Sequence, residues 1–135
     1  MTKNFHLPSA DAFGAERDRL LDQAAAGYER LFKQYPEQSH TCAQAARSLA
    51  NVRATQGRLD EAVKLYVRVA QKYPAEDFEI LMSWKSAADL LHEAGRVLEA
   101  KPFYEKILAR FDKADAPAVV KTIVRGSRAR LAATP

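Results

Sequence analysis

One offset organises this chain. Gly57-Arg58-Leu59-Asp60-Glu61-Ala62-Val63-Lys64-Leu65-Tyr66 returns 38 residues later as Gly95-Arg96-Val97-Leu98-Glu99-Ala100-Lys101-Pro102-Phe103-Tyr104. The same 38 separates Pro36, Pro74 and Asp112, which close Gln34-Tyr35-Pro36, Lys72-Tyr73-Pro74 and Arg110-Phe111-Asp112. Self-similarity at a fixed period is the signature of stacked supersecondary units that bury their apolar faces against each other. The repeat is therefore read before any single element.

Each unit reads as a helical hairpin. Gly57 and Gly95 follow one helical pattern and precede another, and glycine accepts the left-handed conformation that closes a helix C-terminus. After the turn, Ala62, Leu65, Tyr66, Val69, Ala70 and Tyr73 fall at helical spacing, as do Ala100, Phe103, Tyr104, Ile107, Leu108 and Phe111. Small Ala62 and Ala100 let the paired helix approach, and Tyr66 and Tyr104 fill the wider space below. Asp60 is expected to cap its helix and Glu61 to suit the first turn. Pro74 cannot continue a helix.

Trp84, Gly95, Ala100 and Tyr104, with Leu49, Gly57, Ala62, Tyr66 and Pro74, resemble the tetratricopeptide repeat. The resemblance covers about Ala43–Pro74 and Leu81–Asp112, with an echo in Ala24, Tyr28, Leu31 and Pro36. It departs from the family at Ala50 and Ala88, where a glycine is usual, at Arg53 and Leu91, where a tyrosine is usual, and at Ala46, where the tryptophan would stand. The period also exceeds the family's by about four residues, roughly one helical turn. The resemblance implies an all-α fold: a short right-handed superhelix of about six antiparallel helices, with the first helix of each unit lining a concave surface that binds a peptide or protein segment.

Taken in order, residues 1–8 are expected to be disordered and 9–135 to form one repeat domain. Ser9 or Asp11 caps a long first helix running to about Tyr35, with Phe13, Leu20, Leu21, Ala24, Tyr28, Leu31, Phe32 and Tyr35 on one face. Gly14 and Gly27 lie inside it. Further helices are expected over Glu37–Gln56, Arg58–Tyr73, Glu76–Ala94 and Arg96–Phe111. The inward residues are Ala43, Ala46, Leu49, Ala50 and Val52 in the second helix, and Phe78, Leu81, Trp84, Ala87, Ala88 and Leu91 in the fourth. A sixth helix opens at Ala114 or Asp115, takes Pro117 in its first turn, and covers the last hairpin with Val119, Val120, Ile123, Val124 and Leu131. Gly126 is placed to break or end it early.

No run approaches the ~18 apolar residues of a membrane span, and the start lacks an apolar signal core, so a cytoplasmic protein with no membrane partner is expected. Cys42 is the only cysteine, which leaves no internal disulfide or cysteine-based zinc cluster. His6, His40 and His92 have no metal or catalytic spacing. Phosphate-cradling glycine runs, nucleophile elbows and EF-hand loops are missing from the sequence. No metal, no cofactor and no catalysis are expected.

Mapped onto the family's concave helices, the second helix presents Arg47 and Asn51 and the fourth presents Lys85, Asp89 and His92. Arg47/Asn51 and Lys85/Asp89 are i,i+4 pairs on one face each, and the pairs align across the 38-residue offset. A base one turn before an amide resembles part of the carboxylate clamp of chaperone-binding family members. Ser86 and Val120/Val124 stand where the rest of that clamp would be. Lys85–Asp89 also reads as an ordinary surface ion pair. Lys121, Arg125 and Arg128 share a face of the sixth helix, as a basic patch for nucleic acid or an acidic protein, or simply as cations suited to a helix C-terminus. The reading is a non-catalytic module with a protein or peptide ligand. The alternatives are a structural homo-oligomer, a homodimer or a larger stack, and an accessory nucleic-acid binder through the basic sixth helix, although nucleic acid is not expected as the main partner. On this reading Arg47→Ala with Lys85→Ala weakens partner capture without changing stability.

Overall fold

The computed structural model describes the backbone of residues 10–135 and the side chains from Gly14 onward. The expected disorder of 1–8, the caps at Ser9 and Asp11 and the inward Phe13 fall outside the described side chains. Six helices follow one another: α1 (Ala10–Gln34), α2 (Ser39–Thr55), α3 (Leu59–Lys72), α4 (Asp77–Glu93), α5 (Val97–Phe111) and α6 (Ala118–Ala133). Each packs on the next through a short connection, so neighbours run antiparallel. α2 also touches α4. The leading helices of the two units therefore lie side by side.

Both hairpins turn identically. Gly57 and Gly95 have φ of +81°. Gly57 N–H donates to Ala54 O and Arg58 N–H to Arg53 O; Gly95 N–H donates to His92 O and Arg96 N–H to Leu91 O. This pair of bonds is the Schellman closure, whose left-handed residue a side chain would strain. Asp60 does not cap α3. The helix begins without a side-chain cap bond, and Asp60, already inside the first turn, accepts a hydrogen bond from Arg96 Nη1 at 2.9 Å.

α1 is one continuous helix through Gly14 and Gly27. Its buried stripe is narrower than expected: Ala25 is buried and Ala24 exposed, while Leu20 and Tyr35 face outward. Ala25 joins Leu21, Tyr28 and Phe32 against Leu49 and Val52, a cluster apart from the main core. The main core runs from α2 to α6 around Tyr66, Ile80, Leu81, Trp84, Tyr104 and Ile107. Cys42 is buried, and its Sγ lies 3.1 Å from Tyr35 O.

α6 differs most from expectation. It starts at Ala118, after a turn in which Ala116 N–H donates to Lys113 O. Pro117 has ψ of 156° and precedes the helix. A residue before proline is disfavoured in helical conformation, which bars Ala116 and delays the start. Gly126 does not interrupt the helix. Phe78 and Val119, expected inward, are about half exposed at 49% and 53%, because the late start of α6 leaves the first turns of α4 and α6 uncovered.

Candidate functional site

The seam between α2 and α4 is sealed by charge. Glu79 is 2% exposed, and Arg47 Nε donates to its Oε2 at 2.5 Å. The Arg47 guanidinium, expected to face a ligand, links α2 to α4 through Glu79. At the edge of the same seam Ser39 Oγ and His40 Nδ1 meet the Glu76 carboxylate at 3.3 and 2.9 Å. Asn51 Oδ1 accepts a hydrogen bond from the Tyr66 hydroxyl.

One unit later the pattern repeats without its seal. Tyr104, which matches Tyr66, donates its hydroxyl to Asp89 Oδ1 at 2.7 Å, and Asp89 matches Asn51. Lys85 occupies the place of Arg47, but the sequence has no acid after Asp115, so α6 offers no counterpart of Glu79. Lys85 Nζ turns back to Asp89 Oδ2 on its own helix, at 2.7 Å. A cleft of about 220 Å³ opens between α4 and α6, floored by Tyr104 and walled by Lys85, Asp89, Thr122, Ser127 and Arg130. Gly126 lies on its edge, where an added Cβ would meet nothing within 4 Å.

The repeat geometry agrees with a comparison of sequences: residues 44–75 match the family described as tetratricopeptide repeat. That stretch is similar to a tetratricopeptide repeat. No curated protein and no solved structure matches the chain. The matched span contains α3 and most of α2, and the second hairpin, α4 and α5, shares its offset and turn geometry.

The remaining expected site residues distribute around this framework. His92 faces α6, where its ring nitrogens lie 3.0 and 3.3 Å from Arg130 Nη1. Val124 is buried and Val120 half-buried; both belong to the core packing. The wall of α6 that faces the cleft is Thr122, Ser127 and Arg130, which helix register alone does not single out. Lys121, Arg125 and Arg128 are exposed together on the far side of α6; Arg128 pairs with Asp112. A larger apolar cleft, about 640 Å³, lies at the open end between α4 and α6, among Phe78, Leu81, Phe111, Pro117 and Val120. Among the described residues no three His, Cys, Asp or Glu side chains cluster to hold a metal, and no helix is long and apolar enough to cross a membrane.

Both repeat tyrosines hold their protons tightly. Burial raises Tyr104 above the usual tyrosine range, and the bond to the Asp89 carboxylate raises it further. Burial also raises Tyr66. Unfolded tyrosines ionise near pH ~10, so the folded state keeps these protons longer. The stability they contribute is complete below that pH and is lost as pH rises through it towards the folded values. Urea unfolding across the alkaline range should show this fall, and Tyr104→Phe should flatten it. An identical fall in the variant would exclude Tyr104 as its source.

Proposed function

We propose that the protein is a non-catalytic, cytoplasmic interaction module that holds a peptide or protein segment along α2, α4 and α6, with the α4–α6 cleft as its open subsite. The observation that carries this reading is the contrast between two equivalent seams. Arg47 and Glu79 close the first, whereas the second leaves Lys85, Asp89 and Arg130 open to a ligand above the buried Tyr104. Donors and an acceptor lining one cleft suit a peptide backbone or its polar side chains. Asn51 and His92 border the same surface.

The test uses Gly126, because it edges the cleft without packing on anything. Peptides selected on the wild-type protein from a random display library are titrated against variants by fluorescence anisotropy. Gly126→Leu should weaken them by about tenfold or more, equivalent to about 1.4 kcal/mol. Gly126→Ala should leave binding intact and raise stability by up to ~1 kcal/mol, since alanine suits a helix interior better than glycine. Undiminished binding to the leucine variant would rule out the cleft.

A second reading, self-association, draws on half-exposed Phe78 beside the apolar end cleft. A homodimer through that end predicts a mass that rises with concentration in light scattering and a Phe78→Asp variant that stays monomeric.

A further inference from the structure

The charge of this molecule is not spread along it. Up to Asp112 the chain has sixteen Lys and Arg and sixteen Asp and Glu. After Asp112 it has five cations and one acid. The whole net charge of +4 therefore belongs to the last helix and the loop before it. Elsewhere, cations meet acids across helices: Arg47 with Glu79, Arg53 with Asp22, Arg96 with Asp60, and Arg110 with Asp77. On α6 only Arg128 has an acidic partner among the described residues, and that acid is Asp112.

Helix energetics do not account for this pattern. Cations suit a helix C-terminus, which covers Arg128 and Arg130. Lys121 stands at the opposite end, close to the positive pole, and the first turn of α6 contains no acid to offset it. Lys113 precedes the same end. The cations also border a concavity. A cleft of about 380 Å³ between α6 and the preceding loop is lined by Lys113, Lys121, Arg125 and Arg128, and by Asp112, which pairs with Arg128, with Phe111 and Val124 beneath them.

We propose that this second face, on the side of α6 away from the α4–α6 cleft, docks an extended acidic segment of a partner protein. The spacing fits that chemistry. Lys121 and Arg125 are four residues apart, a rise of about 6 Å along a helix. Alternate side chains of an extended strand recur at about 6.6 Å, so carboxylates at every second position meet successive cations. The intervening side chains point to the opposite face of the strand. Single-stranded nucleic acid is the poorer fit, because binding without sequence preference relies on exposed aromatic rings for stacking, and Phe111 is half-buried edge-on to Trp84.

The experiment titrates a labelled eight-residue peptide of alternating Glu and Leu against the full chain, with a Lys–Leu peptide, a single-stranded oligonucleotide and anionic vesicles as comparisons. The Glu–Leu peptide should bind, weaken with added salt, and lose at least tenfold in Lys121→Glu with Arg125→Glu. Both side chains are exposed, so the melting temperature of the double variant should stay close to that of the wild type. Gly126→Leu should leave this binding unchanged, which separates it from the cleft proposed above. Equal binding of the Lys–Leu peptide, an unaffected double variant, or tighter binding of the oligonucleotide or the vesicles would overturn the proposal.

Discussion

Trp84→Ala should lower the unfolding free energy by about 4 kcal/mol, as large-to-small changes at buried aromatic sites do. Trp84 is 9% exposed and meets the edge of Phe111 at 6.1 Å between ring centres. Lys106 and Arg110 lie over its face at 5.8 and 5.9 Å, so the truncation removes cation–π contacts as well as packing. Because Trp84 joins α4 to the end of α5, the cavity would sit where the second hairpin closes. Urea denaturation followed by circular dichroism measures the loss. A value below about 1 kcal/mol would mean that the site collapses freely or that the ring is not part of the core.

Arg47→Met should cost about 3 kcal/mol, because it strands the Glu79 carboxylate at the α2–α4 seam. The sequence led to the opposite expectation, a variant with altered binding and unchanged stability. The difference lies in Glu79, whose burial makes its partner a structural necessity. Adding Glu79→Leu to Arg47→Met should restore most of the lost stability, since a buried ion pair replaced as a whole by apolar groups is often neutral. A double-mutant cycle in urea resolves the two terms. A single variant as stable as the wild type would show that water reaches Glu79 and that the pair does not hold the seam.

The hairpins were legible because their signals are local. Gly57 and Gly95 mark the turns through their own backbone freedom, and most boundaries of α2 to α5 fall within one or two residues of expectation. The face of α4 was less legible. A periodicity argument counts apolar residues on one stripe, but α4 is touched by α2, α3 and α5. Several sides are therefore covered, and Ile80, Ser83 and Glu79 are buried as well. Glu79 beside Asp77 reads as a carboxylate at a helix N-terminus, and only the arrival of Arg47 from another helix shows otherwise. Ser83 Oγ is buried without a hydrogen-bond partner, and nothing in its sequence context marks it.

The cleft was missed for a related reason. It lies opposite Lys85, where α6 brings no acid. That is a missing partner, visible only once α4 and α6 are placed. Helix register points to Asn51, Lys85, Asp89 and His92, but the spacing of Tyr66 and Tyr104 signals packing alone and not their bonds to Asn51 and Asp89.

The segregation of charge onto α6 gives the stack a permanent dipole along its length. In the field of a distant anionic body, the molecule is turned with its last helix leading before any surfaces touch. Such orientation speeds encounter rather than prolonging residence. It fades once the separation exceeds a screening length of about 8 Å at physiological salt, so the molecule is aimed only over the final few water layers.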